Sequence, residues 1–295
     1  MTLEQLRIFV AVAERQHVTR AAEALNLSQS AVSAAVAALE ERHATKLFHR
    51  VGRGVALTEA GRLFLGEARA VLARAATAEA VLADLSGLRR GTLRVQASQT
   101  IASHWLPRHL VAFRRLFPEI VVTLAIGNTA EVAAAVQAGT AELGFVEGRI
   151  DDPMLASEDV ADDRLVLITA PDHRLAARAT VRPQDLAEAA WVMREAGSGT
   201  RSVLEAALTG AGIAPSGLRV VLELPSNEAV RAAVEAGAGA SVLSHSVVAP
   251  ALRAGSLAAP PFPLPSRAFR VLRHRERYRS RAADALLALI AGPPG

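Results

Sequence analysis

The stretch that decides the fold of the N-terminal part is Thr19-Arg20-Ala21-Ala22-Glu23-Ala24-Leu25-Asn26-Leu27-Ser28-Gln29-Ser30-Ala31-Val32-Ser33. Ala21, Ala22 and Leu25 fall on one face of a helix predicted from about Val18 to Leu25. Ser28 can cap the following helix, because a serine hydroxyl accepts hydrogen bonds from the free N–H groups of a first helical turn. Two helices joined by so tight a turn are typical of a helix-turn-helix, which we predict over residues 18–37.

The flanking residues extend this motif in both directions. Leu3, Leu6 and Phe9 recur at helical spacing and predict a helix over residues 2–14. The loop Gly52-Arg53-Gly54 precedes a short alternating strand, which is typical of a wing with a basic tip. From Thr58 a long helix is predicted to about residue 85, with an apolar stripe that nothing in the same stretch is expected to cover. We therefore expect a partner helix, most simply the same helix of a second chain.

From residue 91 onward the pattern changes to short β-branched runs that alternate with helices. Such alternation predicts α/β architecture with a largely parallel sheet. The pattern occurs twice, over about a hundred residues each time, and predicts two α/β lobes of the kind that close around a ligand.

Composition limits the function classes. The chain has 295 residues, no Cys and a net charge of +4, which suits a globular protein of two or three domains. The charge is +3 over residues 1–90, −3 over residues 91–269 and +4 over residues 270–295. The longest uncharged stretch, 236–252, is short for a membrane span and contains three serines. Without an apolar leader, we expect a cytoplasmic protein with no membrane role.

The stretch 19–33 is followed by Leu39-Glu40, Leu47-Phe48-His49-Arg50, Gly54 and Leu57-Thr58-Glu59-Ala60-Gly61. Together these residues resemble the LysR-type transcriptional regulators, densely over residues 1–65 and in element order over the whole chain. The resemblance implies a winged helix-turn-helix (1–58), a dimerising linker helix (59–90) and a two-lobed α/β effector domain similar to periplasmic binding proteins. In that fold the chain crosses between lobes twice, which places 91–163 and 269–292 in the first lobe and 164–268 in the second.

The same resemblance implies how such a protein works. LysR-type regulators are homodimers or, more usually, homotetramers that bind double-stranded promoter DNA. They change DNA bending or contact with RNA polymerase when a small effector binds. Three local sequences, 127–129, 146–148 and 194–201, resemble the subgroup that controls sulfur assimilation or carbon-dioxide fixation.

Eight residues are candidates for DNA contact. Gln29, Ser30 and Ser33, at the start of the second helix of the motif, would touch base edges. Phosphate contacts would come from Thr19, Arg20, Arg50 and Arg53, and Arg53 could also enter the minor groove. The candidates are Thr19, Arg20, Ser28, Gln29, Ser30, Ser33, Arg50 and Arg53. Two alternatives stay open: Ser28 and Ser33 could only cap and solvate a helix, and Arg20 and Arg50 could be ordinary surface charges. Ala34 and Ala35 stand where the family commonly has Arg or Gln, so few side chains read bases.

Three predicted helix N-termini follow strands in the two lobes and carry small polar residues. Their free N–H groups and positive dipole ends would form an anion-binding cleft for a small carboxylate, sulfate-like or phosphate effector. The resemblance places the effector at the matching positions. The candidates are Ser98, Thr100, Asn128, Thr129, Ser198, Gly199 and Thr200, together with Glu147 after a strand. Capping alone would select the same small residues, and Glu147 could equally pair with an arginine.

Two other classes of protein compete with this interpretation. A metabolic enzyme would need chemistry that we do not find: GxSxG, HExxH and a P-loop lysine are all absent from the sequence, and its eight His residues lack metal-ligand spacing. A solute-binding protein without a DNA role would have the two lobes but not residues 1–85. We therefore expect no enzyme activity, no metal and no cofactor beyond a small anionic effector.

Overall fold

The computed structural model describes residues 1–52, 54–85, 91–148 and 150–292. These residues form two compact units. The first contains everything up to the end of the long helix, and the second contains nearly all of the chain after it. Each unit is described by itself.

The first unit is helical with one small hairpin. It consists of α1 (Leu3–Arg15), α2 (Val18–Leu25), α3 (Gln29–Arg42), β1 (Phe48–Val51), β2 (Gly54–Leu57) and α4 (Glu59–Leu85). Strands β1 and β2 pair antiparallel, with Phe48 opposite Leu57. This order confirms the predicted winged helix-turn-helix followed by a long helix.

Capping residues fix the ends of these helices. Thr2 and Gln5 form a capping box at α1, and Ser28 Oγ accepts from the backbone N of Ala31 at the start of α3. Asn26 ends α2 in the left-handed region at φ 53°, a conformation that asparagine tolerates better than most residues. The turn between α2 and α3 is therefore set by local sequence.

The apolar core of the first unit joins α1, the hairpin and the start of α4. The Phe9 ring lies 5.3 Å from Phe48 and 4.9 Å from Phe64 between centroids. Gly61 permits this approach, because a Cβ there would lie 2.1 Å from the Leu47 carbonyl oxygen.

This packing corrects one expectation about the stripe on α4. Its N-terminal half, including Phe64, Ala68 and Leu72, packs against the α1 core, so the stripe is partly covered within the same unit. Leu63 and Leu82 remain exposed at 74% and 68% of their surface. The apolar side chains left for a partner are thus fewer than the periodicity alone predicted.

The second unit begins with a five-stranded sheet. We call this sheet, together with the helices that pack on it, the first lobe. The sheet contains β3 (Gly91–Ser98), β4 (Ile120–Gly127), β5 (Leu143–Glu147), β6 (Leu155–Asp163) and β11 (Arg267–His274). A π-helical turn, Ile101–Trp105, leads into α5 (Leu106–Leu116), and the other helices are α6 (Thr129–Ala138) and α11 (Arg281–Ala291). Helices α5 and α11 cover one face of the sheet and α6 the other.

The sheet of this lobe is largely parallel in strand direction, as expected, but one antiparallel strand interrupts it. The strand order is β4-β3-β5-β11-β6, in which β3 pairs parallel with β4 and β5, and β6 runs in the same direction as these three. Strand β11 runs antiparallel between β5 and β6. We did not predict β6, because its acidic sequence lacks an apolar run. Its exposed Glu158 and Asp159 pair instead with Arg273 and Arg270 of β11.

The second lobe is built from the elements between β6 and β11. They are β7 (Leu165–Ile168), α7 (Pro183–Ala187), β8 (Ala190–Arg194), α8 (Gly199–Gly210), β9 (Arg219–Leu224), α9 (Asn227–Glu235), β10 (Ser241–Ser244) and α10 (His245–Ala254). Strands β8 and β9 are parallel, and β7 and β10 are antiparallel. Buried Trp191 and Val192 point to opposite faces of β8 and anchor the two cores of the lobe.

The uncharged stretch follows α9 and contains β10 and most of α10. Of the helices that the structure describes, none combines the length and the apolar character needed to span a bilayer.

Candidate functional site

The face of α3 carries the residues expected to read bases. Gln29, Ser30 and Ser33 are exposed in its first turns. Ser28 Oγ caps the helix and also lies 3.0 Å from Ser30 Oγ. Capping thus accounts for Ser28 without DNA, whereas the other three side chains are exposed to a ligand.

The arginines expected at phosphates lie on α2 and β1. Arg20 and Arg50 are exposed and have no acidic partner among the described residues, and Thr19 beside Arg20 is half-buried. Arg53 lies outside the described residues. The two described arginines therefore have their charges available to a polyanion.

A buried carboxylate fixes the hairpin that carries Arg50. Glu40 Oε1 accepts from the backbone N of Leu47 at 2.8 Å and of Phe48 at 3.1 Å, while Lys46 Nζ lies 2.7 Å from Oε2. Burial would raise the pKa of Glu40, but the Lys46 and backbone hydrogen bonds outweigh it and hold the pKa below its ordinary value. The wing is thereby anchored to the C-terminal end of α3.

In the second unit, the predicted cleft residues come together where β5, α6 and α8 meet. Thr129 Oγ1 donates to the Glu147 carbonyl oxygen at 3.1 Å. A Cβ at position 199 would lie 2.4 Å from the same oxygen, so only glycine allows α8 to approach this closely. Helix α8 of the second lobe therefore begins directly against the first lobe.

Asn128 caps α6, which agrees with the alternative that small polar residues at these helix N-termini serve as caps. Its Oδ1 accepts from the backbone N of Glu131 at 3.0 Å, and its own backbone N donates to Glu131 Oε2 at 2.9 Å. Its side-chain amide also lies near Glu195 of the second lobe and helps to lower the pKa of that carboxyl. Asn128 thus both caps α6 and connects the two lobes.

Asn227, at the start of α9, makes the most extensive connection between lobes. Its Nδ2 donates to Thr100 Oγ1 at 3.0 Å, and its backbone N donates to Gln99 Oε1 at 2.6 Å. On the other side, Arg194 Nη1 donates to Asn227 Oδ1 at 2.5 Å. One amide therefore ties the end of β3 to the end of β8.

Arg194 is nearly buried and is held by a neighbouring carboxylate. Its Nε and Nη2 donate to the two oxygens of Glu195 at 2.7 and 2.9 Å, a bidentate pair. Burial would raise the pKa of Glu195, but the hydrogen bonds and charge of Arg194 and the Asn128 amide hold it below its ordinary value. Part of the positive charge in the cleft is thus already compensated.

A second buried arginine lies where the chain returns to the first lobe. Arg267 Nε donates to Asp163 Oδ2 at 2.7 Å, and Nη1 donates to Thr200 Oγ1 at 3.0 Å. Nη2 lies 3.8 Å from Glu147 Oε1. Glu147 therefore has an arginine as a charged neighbour, which is one of the two roles foreseen for it.

The remaining predicted cleft residues are buried. Ser98 Oγ has no hydrogen-bond partner in the described part of the chain. Ser198 is the N-cap of α8, and its side chain makes no capping hydrogen bond. Both hydroxyls are therefore free of the capping role that would otherwise explain them.

Sequence reasoning missed the residues that join the lobes. Gln99, Asp163, Asn227 and Arg267 each bond to a partner that is distant in sequence, and no local pattern marks them. Arg194 and Glu195 lie in the stretch 194–201, in which only the resemblance to a subgroup of regulators marks them. No group of three or more His, Cys, Asp or Glu side chains among the described residues could hold a metal.

A helix-turn-helix unit followed by a two-lobed α/β unit with a polar cleft defines a ligand-responsive DNA-binding protein. Two family models match the chain: "Bacterial regulatory helix-turn-helix protein, lysR family" over residues 3–62 and "LysR substrate binding domain" over residues 86–292. The chain therefore belongs to the LysR family and is a LysR-type transcriptional regulator with an effector-binding domain.

Relatives extend over nearly the whole chain. An uncharacterized HTH-type transcriptional regulator, YeiE of Escherichia coli, is 36% identical over 290 residues, 97% of this chain and 96% of its own length. The RuBisCO operon transcriptional regulator of Allochromatium vinosum is 36% identical over 244 residues, 83% of this chain and 80% of its own. The family resemblance is confirmed, with relatives in its carbon-dioxide-fixation subgroup.

A solved structure is similar in the second unit. The regulatory domain of CcmR from Synechocystis, in complex with 2-PG, is 28% identical with a TM-score of 0.62. The match covers 70% of this chain and all of that domain.

Proposed function

We propose that this regulator binds promoter DNA through α2, α3 and the wing, and that a small anion bound between the two lobes alters that binding. The observation that carries the proposal is the cleft itself. Gln99 and Thr100, which follow β3 of the first lobe, bond directly to Asn227 at the start of α9 in the second lobe, and Arg267 of β11 bonds to Thr200 at the start of α8. A ligand that enters between them must change these contacts, and so favours one lobe geometry over another.

An anion suits this cleft because of the groups that line it. Helix N-termini present unpaired N–H groups and positive dipole ends. The buried Ser98 hydroxyl, which has no partner among the described residues, offers a further donor. The related CcmR domain binds the small anion 2-PG, which supports the same ligand class here. We assign Ser98, Thr100, Asn128, Thr129, Glu147, Ser198, Gly199 and Thr200 to the effector site.

On the DNA side, we assign base contacts to Gln29, Ser30 and Ser33, and phosphate contacts to Thr19, Arg20, Arg50 and Arg53. Ser28 positions the recognition helix and lies at the same surface. A pair of such units would read two half-sites about one helical turn apart. The exposed Leu63 and Leu82 of α4 support dimerisation through the linker helix, and a tetramer would then form from two dimers.

The proposed domain limits follow from this assignment: 1–58, 59–90, 91–163 with 269–292, and 164–268. A regulator of chromosomal genes would act in the cytoplasm and, as an activator, would contact RNA polymerase. It needs no catalytic residues and no cofactor besides the effector.

Footprinting of the full-length protein on the DNA upstream of the neighbouring genes tests the proposal. The protected region should change in length or in hypersensitive sites when 2-PG, sulfate or a sugar phosphate is added. A matched thermal-shift screen should show stabilisation by the same anion. Absence of any protected site, or a footprint that no anion in the screen alters, would contradict the proposal.

A further inference from the structure

A donor and an acceptor face each other in the cleft without forming a hydrogen bond. Arg267 Nη2 and Glu147 Oε1 are 3.8 Å apart, beyond the 2.7–3.2 Å that is typical of an N–H···O bond. The two side chains are only 2% and 4% exposed. Buried polar groups are nearly always satisfied by hydrogen bonds, so this pair requires an explanation.

The other two nitrogens of Arg267 each donate a hydrogen bond. Nε donates to Asp163 Oδ2, and Nη1 donates to Thr200 Oγ1 at the start of α8. Nη2 lies 2.7 Å from Asp163 Oδ2 but has no aligned acceptor among the described residues. Asp163 is itself fixed by the Ser244 hydroxyl at 2.6 Å. Nη2 is thus the nitrogen of this guanidinium that makes no hydrogen bond to a described residue and is left for another group.

The Glu147 carboxylate, in turn, is an acceptor without a donor among the described residues. In the described part of the chain its carboxylate accepts no hydrogen bond, and its ion pair with Arg267 is the one interaction of its side chain. The backbone oxygen of Glu147 touches both Thr129 and the start of α8. The acceptor therefore lies inside the proposed effector site.

Charge and hydrogen-bonding capacity select the group that fits this gap. The cluster of Arg267, Asp163 and Glu147 carries one net negative charge when ionised, which disfavours a second anionic group beside Glu147. An ammonium group could donate to Glu147 but could not accept from Nη2, and the guanidinium would repel it. A hydroxyl accepts from Nη2 and donates to Glu147 at the same time.

We propose, building on the effector site proposed above, that the effector is a hydroxylated small anion. Its hydroxyl bonds Arg267 Nη2 and Glu147, while its carboxylate or phosphate lies at the helix N-termini near Ser98 and Thr100. Arg267 and Glu147 are then specificity-determining residues, and simple anions without a hydroxyl are discriminated against.

Two matched sets of probes test this inference on the full-length protein by calorimetric titration. One set is propionate, lactate and alanine, and the other is 3-phosphonooxypropanoate, 3-phosphoglycerate and O-phosphoserine. Within each set the members differ only by H, OH or NH₃⁺ at one carbon. We expect the hydroxylated member of at least one set to bind about tenfold or more tightly than its two analogues, the range given by a hydrogen bond to a charged group.

Glu147→Gln should reduce that preference to about twofold or less, since the neutral amide is a weaker acceptor. Glu158→Gln is the control, because it removes the same charge from an exposed position on β6 and should keep the preference. If Glu147→Gln fails to fold in a denaturation test, Glu147→Asp retains the charge and withdraws the carboxylate by one methylene. It should also lose most of the preference.

Equal binding of the hydroxylated and unsubstituted members overturns the inference. So does tightest binding by the ammonium member, no binding by either set at millimolar concentration, or a preference that survives substitution at position 147. These outcomes differ from failure of the proposed function. If anions alter the DNA footprint without a hydroxyl preference, only the present inference fails, whereas a footprint that no anion alters contradicts the effector-controlled regulator.

Discussion

The two ligand-facing regions of this regulator are built by opposite means. The proposed DNA-facing surface of α2, α3 and the wing relies on local contacts, and Arg20, Gln29, Ser33 and Arg50 are exposed on it. The cleft between the lobes relies on buried polar side chains whose partners are far away in sequence, such as Arg267 with Asp163 and Thr200. A surface that meets a polyanion needs available charge, whereas a cleft that senses a small molecule needs charges that are already positioned.

The largest effect should come from breaking the buried cluster of the cleft. Arg267→Met leaves Asp163 and Glu147 without their cation, and removal of one partner of a buried ion pair destabilises by about 3–5 kcal/mol. Denaturant unfolding of the full-length protein should show this decrease in the transition of the second unit. Arg231→Met, which removes a partly exposed helical pair with Glu235, should change the same free energy by only about 0.2–0.5 kcal/mol.

The next effect should come from the one buried anchor of the DNA-facing unit. Glu40→Gln replaces a carboxylate that accepts from two backbone N–H groups and Lys46. We expect the free energy of unfolding of the first unit to fall by about 1.5–3 kcal/mol, because hydrogen bonds to charged groups contribute this much. Glu41→Gln, at the exposed neighbouring position, should change it by less than about 0.5 kcal/mol. Equal effects of the two variants would contradict the anchoring role.

A smaller effect, on the free energy of DNA binding, should distinguish the DNA-facing surface from the cleft. Arg50→Ala and Arg53→Ala should each weaken DNA binding and reduce the slope of log affinity against log salt by about one, as expected when one arginine no longer neutralises a phosphate. Fluorescence anisotropy at several salt concentrations measures both quantities. An unchanged slope removes the arginine concerned from the contact set. Arg7→Ala, an exposed charge on α1 beside Glu4, provides the matched control.

The smallest effect should appear in the pH dependence of the cleft. Arg194 and Asn128 hold the pKa of Glu195 below its ordinary value of 4.5. A depressed carboxylate pKa stabilises the folded state above the ordinary pKa, and that stabilisation is lost as pH falls through the folded pKa. The melting temperature of the second unit should therefore decline below pH 4.5, and Glu195→Gln should make this decline shallower. A decline of equal steepness in the variant would show that Glu195 is not its source.

The sequence predicts the winged helix-turn-helix better than the two lobes, because the contacts of the first are local and those of the second are distant in sequence. Helix ends at Thr2, Ser28 and Thr58 depend on neighbours three residues away, so periodicity and capping were enough to predict the winged helix-turn-helix. Strand β6 was missed because its partner on β11 compensates its charges more than a hundred residues later.

The cleft shows the same limit at the level of side chains. The sequence predicts small polar residues at helix N-termini of the cleft, and it leaves two possible roles for Glu147. The arginine that faces Glu147, Arg267, follows a proline-rich segment with no pattern of its own. Contacts of this kind become visible only when the lobes are folded together.

The central claim is that a small anion in the cleft alters how the protein occupies DNA. The most direct measurement is a footprint of the full-length protein on its own upstream DNA, with and without 3-phosphoglycerate, 2-PG or sulfate, for the unmodified chain and for Thr200→Val. We predict that at least one anion changes the footprint of the unmodified chain, and that the footprint of Thr200→Val no longer responds to that anion. A footprint unaffected by all three anions, or one that responds equally in Thr200→Val, would contradict the claim.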